Sequence, residues 1–181
     1  MCVRPRSIVD RCHWLAALCL FAASVSVPPP IRATAAPISS PAISEAIAHH
    51  TGMEDEMQSL KKANGRWIEV DITRQRLIAW EGPNPVYAIV VSTGKPSTPT
   101  LPGLFAIQSK YPSVRMQGAD YDVPDVPYAM FYYGTSYAIH GAYWHDDFGT
   151  PVSRGCTNVA PDHAEWLYHW AAVGTPVVFH Y

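Results

Sequence analysis

Cysteine is scarce in most of this 181-residue chain. Three of its four cysteines, Cys2, Cys12 and Cys19, lie within the first 35 residues, and Cys156 is the only one in the remainder. A lone cysteine cannot form an internal disulfide. A small scaffold held together by disulfides is therefore excluded for residues 36–181.

A long apolar run and an excess of positive charge are also missing. The apolar segment 14–27 is too short to span a bilayer comfortably. The chain carries a formal net charge of −2, and its first 35 residues hold four arginines and one aspartate, so residues 36–181 carry about −5. A nucleic-acid-binding domain normally presents a basic face, so this charge balance argues against one.

The amino terminus has the organisation of an export signal. Basic residues precede the apolar segment, and Ala33-Thr34-Ala35 is a small-residue cleavage site. Leu18 precedes Cys19, where a lipoprotein signal requires a small residue. We predict that residues 1–35 are a signal peptide; the alternative is an uncleaved anchor, and both deliver the domain outside the cytoplasm. A spare thiol is normally a liability there, so the presence of Cys156 indicates chemistry.

The remainder divides into a connecting segment and one domain. Residues 36–65 begin with prolines, serines and alanines, and a weakly amphipathic stretch follows over 43–62. They are predicted to be a linker or a short helical spacer. Residues 66–181 show the hydrophobic patterns typical of β-strands and are predicted to form a single catalytic domain.

Hydrophobic periodicity predicts a mainly β fold. Residues 67–72 alternate apolar and polar side chains, and 76–80 return after a short turn, which predicts a hairpin. The nearly continuous apolar run 86–93 predicts a buried strand. One helix is predicted over 161–173, ended by Gly174. Four further strands are predicted, over 104–107, 129–133, 137–140 and 175–181. The expected fold class is a β-sandwich or mixed sheet with one packed carboxy-terminal helix.

A histidine stands sixteen residues before the lone cysteine of this domain. His140 lies in Y-A-I-H-G-A and Cys156 in S-R-G-C-T-N. Cysteine and histidine at the ends of neighbouring strands suit a thiol acyl-transfer enzyme, since the imidazole accepts the thiol proton or pairs with the thiolate. An alternative is a zinc metallohydrolase with His140, His145 and Cys156 as ligands. Neither paired cysteines nor an H-x-x-E-H motif accompanies those residues.

Residues 66–181 resemble the L,D-transpeptidase catalytic domain, also called the YkuD-type domain. That family's signature is a histidine with a small residue after it, a variable loop, and S-x-G-C-x-[NR]. Many members carry a second histidine where this chain has Arg154, and others carry lysine, so no proton-transfer role is assigned to Arg154. The matching segments are His140–Gly141, the loop 142–152 and Ser153–Asn158, with Val91–Gly94 and Thr100–Ile107 upstream.

The resemblance implies attack on the L,D peptide bond between the third residue of a peptidoglycan stem and its terminal D-alanine. The cysteine would hold an acyl-enzyme, and an amine acceptor would give a 3→3 cross-link or a protein attached to the wall. Water as acceptor would make the protein an L,D-carboxypeptidase. The thioester also implies sensitivity to carbapenems. A non-catalytic wall-binding protein is the remaining alternative.

The partners implied are donor and acceptor stem peptides in the periplasm or cell wall, with no cofactor, no metal, no nucleic acid and no membrane span after signal cleavage. Cys156 would be the nucleophile, and His140 would be oriented by the carbonyl of Gly141. Amides around Arg154, Gly155 and Cys156 would face the oxyanion, and such donors are worth roughly 3 kcal/mol each. Gly155 also lets the backbone approach closely. The candidate cleft residues are Tyr133, Tyr143, Trp144, His145, Ser153 and Asn158.

Overall fold

The computed structural model describes residues 41–181, with side chains described from residue 52 onward. The predicted signal peptide, residues 1–35, lies outside the described residues. The elements, in chain order, are α1 (Pro41–Lys62), β1 (Arg66–Asp71), β2 (Arg76–Glu81), β3 (Asn84–Val90), β4 (Gly103–Ala106), β5 (Ser109–Gly118), β6 (Tyr121–Tyr133), β7 (Tyr137–Gly141), β8 (Thr157–Val159), α2 (Pro161–Trp170) and β9 (Pro176–His180).

The strands form two mixed sheets. The five-stranded sheet has the order β3-β2-β1-β9-β4, and the four-stranded sheet has the order β5-β6-β7-β8. In each sheet one neighbouring pair is parallel, β1 with β9 and β7 with β8, and the other pairs are antiparallel. The predicted mainly β architecture is confirmed, although the described residues contain two helices rather than one.

The core lies between the two sheets and helix α2. Alternation within β1 places Ile68 and Val70 in this core, and β6 contributes Met130 and Tyr132. Leu167 of α2 is fully buried against them. Burying a large apolar side chain of this kind stabilises the folded state by about 1.5–3 kcal/mol. The packing of these elements therefore holds β7 and β8, which carry the site, on a rigid support.

Helix α1 is a packed part of the domain. Of the alternatives left open for residues 36–65, the structure has a helix, with 22 residues over 41–62. Met53, Met57 and Leu60, spaced along one helical face, pack on Trp67 at the outer face of the five-stranded sheet. Lys61 Nζ lies 4.8 Å from the ring centre of Trp80. The segment is therefore more than a spacer. Neither described helix combines the length and apolarity needed to cross a bilayer.

Two local predictions were wrong. The run 86–93 was expected to be a buried strand, but β3 is the edge strand of its sheet, and Val86 and Val90 are exposed. Within β3 only Ile89 is buried, and continuous burial begins at Val91, after the strand has ended. Helix α2 ends at Trp170 rather than continuing to residue 173, because Ala171 adopts an extended conformation.

Candidate active site

The register of the parallel pair β7–β8 brings the histidine and the cysteine together. His140 lies opposite Asn158, and Cys156 immediately precedes β8. Side chains two residues apart on a strand leave the same face, and neighbouring strands lie about 4.8 Å apart. His140 and Cys156 both line one cavity of about 310 Å³.

The imidazole of His140 is buried and oriented by the main chain. Its Nδ1 atom lies 3.0 Å from the carbonyl oxygen of Gly141. A carbonyl oxygen only accepts hydrogen bonds, so Nδ1 carries the hydrogen and Nε2 keeps its lone pair. The orientation expected from Gly141 is present. Residue 141 must also be small, since a Cβ there would lie 2.8 Å from Cγ of Pro127.

Burial sets the charge state of both groups. It lowers the pKa of His140 to about 4, an effect opposed by the Gly141 carbonyl and reinforced by His145. It raises the pKa of the Cys156 thiol to about 11, opposed by a hydrogen bond from the Ala138 backbone. The half-buried thiol donates weakly to the carbonyl oxygen of Ser136, at 3.7 Å. At neutral pH the pair therefore consists of an uncharged thiol and an uncharged imidazole.

The upstream S-T-G motif holds the loop that carries Cys156. The backbone amide of Ser153 donates to the carbonyl of Thr93 at 3.1 Å, and the carbonyl of Ser153 accepts the amide of Lys95 at 3.1 Å. The Thr100 hydroxyl donates to the carbonyl of Gly155 at 2.8 Å. Segments far apart in the sequence thus fix the backbone on the amino-terminal side of Cys156.

The amide of Gly155 is not free to face an oxyanion. It donates to the hydroxyl oxygen of Ser153 at 3.1 Å, and that hydroxyl donates to the carbonyl of Cys156 at 2.5 Å. The prediction that Gly155 supplies an oxyanion donor is therefore wrong in this conformation, because a local turn takes up its N–H. The backbone amides of Arg154 and Cys156 are the two of the predicted set that remain as candidates.

Gly155 has a structural role instead. Its φ of +118° is unfavourable for any residue with a side chain, and a Cβ would lie 2.7 Å from Cε1 of Tyr137. We expect Gly155→Ala to lower the free energy of unfolding by about 2–4 kcal/mol, measured by urea denaturation. Gly134→Ala is the matched control, since Gly134 has a φ of +53° but open space around it. Equal losses in the two variants would contradict the clash with Tyr137.

The predicted cleft residues fall into two groups. Trp144, His145, Ser153 and Asn158 line the cavity, as does Arg154.

Tyr133 and Tyr143, the other two predicted cleft residues, do not line the cavity that contains His140 and Cys156. The ring of Tyr133 packs edge-on against Phe105, with ring centres 5.9 Å apart. The hydroxyl of Tyr143 donates to the carbonyl of Pro124 at 2.7 Å, which turns that side chain toward β6. The predictions for these two tyrosines as cleft residues are therefore corrected by the tertiary packing.

The hairpin of β5 and β6 supplies cavity residues that the sequence did not reveal. Arg154 connects this hairpin to the nucleophile loop, since its Nε lies 3.1 Å from a carboxylate oxygen of Asp120 and its guanidinium lies 4.9 Å from the ring centre of Tyr121. Alternation over 113–117 signals a strand, but nothing local indicates where that strand folds. The lining residues missed were Met116, Tyr121, Val123, Ser136 and Val152.

The residues of the zinc alternative are engaged otherwise. Nε2 of His145 lies 2.8 Å from the side-chain amide nitrogen of Asn158. Across the described part of the chain, no group of three His, Cys, Asp or Glu side chains is arranged to hold a metal ion.

Comparison with known proteins identifies a family. The family model for the L,D-transpeptidase catalytic domain, YkuD, matches residues 65–179. L,D-transpeptidase 2 of Mycobacterium tuberculosis (strain CDC 1551 / Oshkosh) is 33% identical over 94 residues, which are 46% of this chain and 23% of that protein. L,D-transpeptidase 1 of Mycobacterium tuberculosis (strain ATCC 25618 / H37Rv) is 32% identical over 97 residues, 48% of this chain and 39% of that protein.

Solved structures agree. An L,D-transpeptidase from Mycobacterium smegmatis superimposes with a TM-score of 0.60 at 26% identity, covering 64% of this chain and 58% of that one. This chain spans well under half the length of the two curated relatives. Because the family model covers most of the chain, and the superposition gives the same fold, the protein belongs to the L,D-transpeptidase catalytic domain family.

Proposed function

We propose that this protein is a cysteine-dependent L,D-transpeptidase that acts on peptidoglycan stem peptides. The observation that carries the proposal is the pairing of Cys156 with His140 in one cavity, with Nδ1 of His140 held by Gly141. That hydrogen bond leaves Nε2 as the atom that can take a proton. The pair has the composition that acyl transfer through a thioester requires.

Acylation begins when the Cys156 sulfur attacks the carbonyl carbon of the L,D amide bond. The thiol proton moves to Nε2 of His140 as the C–S bond forms, and negative charge develops on the carbonyl oxygen. The amides of Arg154 and Cys156 are the candidate donors to that oxygen. The C–N bond then breaks, and Nε2 returns the proton to the amine of the departing D-alanine.

Deacylation reverses these roles. The amine of an acceptor attacks the thioester carbon and gives a proton to Nε2 of His140. The C–S bond breaks, and the sulfur recovers its proton from the imidazole. A stem amine as acceptor yields a 3→3 cross-link, and an amine of another protein yields attachment to the wall. Water as acceptor gives the L,D-carboxypeptidase alternative.

Export is part of the proposal. Residues 1–35 would act as the signal peptide, and residues 66–181 would work in the periplasm or cell wall. The order of basic residues, apolar segment and small-residue site supports this location.

The test of the proposed function is mass spectrometry of muropeptides. The protein is incubated with a disaccharide-tetrapeptide, and the products are separated and weighed. We expect loss of D-alanine together with a dimer joined 3→3. A tripeptide product without a dimer would assign the carboxypeptidase, and unchanged substrate would reject acyl transfer on this substrate.

Carbapenems provide a further prediction. A solved structure that shares the fold at 27% identity, with a TM-score of 0.60 over 64% of this chain and 58% of that one, is the L,D-transpeptidase LdtMt1 in complex with imipenem. We expect meropenem to add its mass once, on the peptide that contains Cys156, because the strained lactam carbonyl replaces the stem amide and no leaving group departs. Peptide mapping distinguishes this cysteine from Cys2, Cys12 and Cys19.

EDTA treatment is the control for the carbapenem experiment. Activity and adduct formation should persist in its presence. An adduct on another residue would contradict the thiol assignment, and activity that is lost to EDTA and restored by zinc would move the assignment to a metal site.

A further inference from the structure

A closed circuit of hydrogen bonds fixes the loop between the two members of the pair. The backbones of Ser92 and Asn158 exchange hydrogen bonds of 2.8 and 2.9 Å. Nδ1 of His145 accepts the backbone amide of Asp147 at 3.2 Å, so Nε2 of the neutral ring carries the hydrogen. Nε2 lies 2.8 Å from the terminal amide of Asn158, which accepts that hydrogen with its Oδ1 turned toward His145. The Ser92 hydroxyl donates to the carbonyl of Asp147 at 2.8 Å and closes the circuit.

Asp147 is exposed, but the other three members of this circuit are more buried than a surface loop requires. Ser92 is fully buried, Asn158 is 4% exposed, and His145 is half-buried. Burying polar groups is costly unless they are paired, so a circuit that satisfies all of them gives the loop one preferred conformation. Asn158 belongs to β8 and Ser92 lies beside it, so the loop is tied to the same strand that follows the nucleophile.

The loop carries an aromatic cover for the base. Trp144 immediately precedes His145, and its ring centre lies 5.8 Å from that of His140 at an interplanar angle of 33°. Tyr143 packs edge-on against Trp144, with ring centres 5.1 Å apart. His140 lies on β7, between β6 and β8, and is only 3% exposed although it borders the cavity, whereas Trp144 itself is 41% exposed.

We propose that Ser92, His145, Asp147 and Asn158 form a latch that holds Trp144 over His140 and thereby shields the base from solvent. These four are positioning residues, since they act through Trp144 and not on the substrate. The proposal rests on the proposed function in one respect only, namely that His140 is the base. The latch gives the motif residue Ser92 a physical role that the sequence did not assign to it, and it specifies how Asn158 holds the loop.

Other ionisable groups line the same cavity and can also affect the ionisation of His140. Cys156, Tyr121, His145, Asp147 and Arg154 line it with His140. The guanidinium of Arg154 is paired with Asp120, outside this set. His145 interacts electrostatically with His140, so removing His145 changes both a charge and the latch. Variants that test the latch should therefore leave all of these charges in place.

The experiment follows the ionisation of His140 by NMR in the full chain. The Cε1–H resonance of His140 is assigned by its loss in His140→Gln and is titrated between pH 5 and 8. The test variants, Ser92→Ala and Trp144→Ala, alter no charge. Trp144→Phe keeps an aromatic cover, and Thr150→Ala removes a hydroxyl from the same loop outside the circuit.

In the wild type the resonance is expected to stay nearly constant above pH 5, since the pKa of His140 is about 4. Ser92→Ala and Trp144→Ala should move its midpoint upward by at least one pH unit, toward the ordinary histidine value of about 6.5. At pH 6 the charged fraction would rise from about 1% toward about 75%, the limit for an imidazole with that ordinary value. Trp144→Phe and Thr150→Ala should keep the wild-type midpoint.

Two results would overturn the latch. One is a wild-type midpoint near 6.5; the other is an unchanged midpoint in both Ser92→Ala and Trp144→Ala. The result is independent of the muropeptide assay, so a protein with the predicted titrations and no transfer activity would reject the proposed function and leave the latch standing. Loss of transfer with an unchanged midpoint would assign the loop to substrate binding and reject the latch.

Discussion

Cys156→Ala is expected to abolish transfer, with at least a 10⁴-fold loss of D-alanine release, while the domain stays folded. The thiol is the most nucleophilic group among the side chains that line the cavity, and its own hydrogen bond is a weak one of 3.7 Å to Ser136. Removing a side chain that is only half-buried costs little stability. Cys156→Ser should be equally inactive, since a lone imidazole without a carboxylate partner does not activate a hydroxyl.

D-Alanine release and thermal unfolding are measured on the same preparations. The control is a variant in which Cys2, Cys12 and Cys19 are all alanine and Cys156 is kept, which should retain wild-type activity. Substantial activity in Cys156→Ala would end the thiol mechanism.

His140→Ala should lower kcat/KM by at least about 100-fold, the effect typical of a lost general base. His145→Ala should lose much less, because His145 acts through the position of the loop and not on the sulfur. The two variants are compared with the same tetrapeptide substrate. If His145→Ala were the more damaged of the two, the assignment of the pair would be wrong.

The burial of His140 determines how kcat/KM and the free energy of unfolding should depend on pH. The base works when uncharged, and the pKa of His140 is lowered to about 4, so the acid limb of kcat/KM should lie near pH 4 and not near 6.5. Between those values the unfolded chain binds a proton on this histidine that the folded chain does not bind. The free energy of unfolding should therefore decrease as pH falls from 6.5 to 4. An acid limb near pH 6.5 would contradict the buried, uncharged base.

Local patterns in the sequence were enough to predict the mainly β fold and to identify His140 and Cys156 as the candidate reactive pair. Alternation over 67–72 and 76–80 corresponds to β1 and β2, since a half-buried strand must alternate wherever it lies in the sheet. The lone cysteine and the upstream histidine stood out by residue type, because few side chains are capable of nucleophilic or base chemistry. The family motif predicts that both belong to one site.

Burial and hydrogen-bond partners were decided by contacts between distant residues. The run 86–93 is apolar enough for a buried strand, yet β3 became an edge because no strand pairs beyond it among the described residues. The helical face of Met53, Met57 and Leu60 is visible in the sequence, but only packing on Trp67 shows what covers it.

Within the site, the sequence by itself determined which groups can react, and the tertiary structure decided which of them are free to do so. Gly155 lies beside the nucleophile in the motif, but its amide is taken up by Ser153. Trp144 was only one candidate among several, and its ring lies 5.8 Å from that of His140 on a loop that residues from β8 and from the segment after β3 contact. Residue types are local properties of a chain, whereas the direction of an N–H group and the burial of an imidazole depend on segments that only folding brings together.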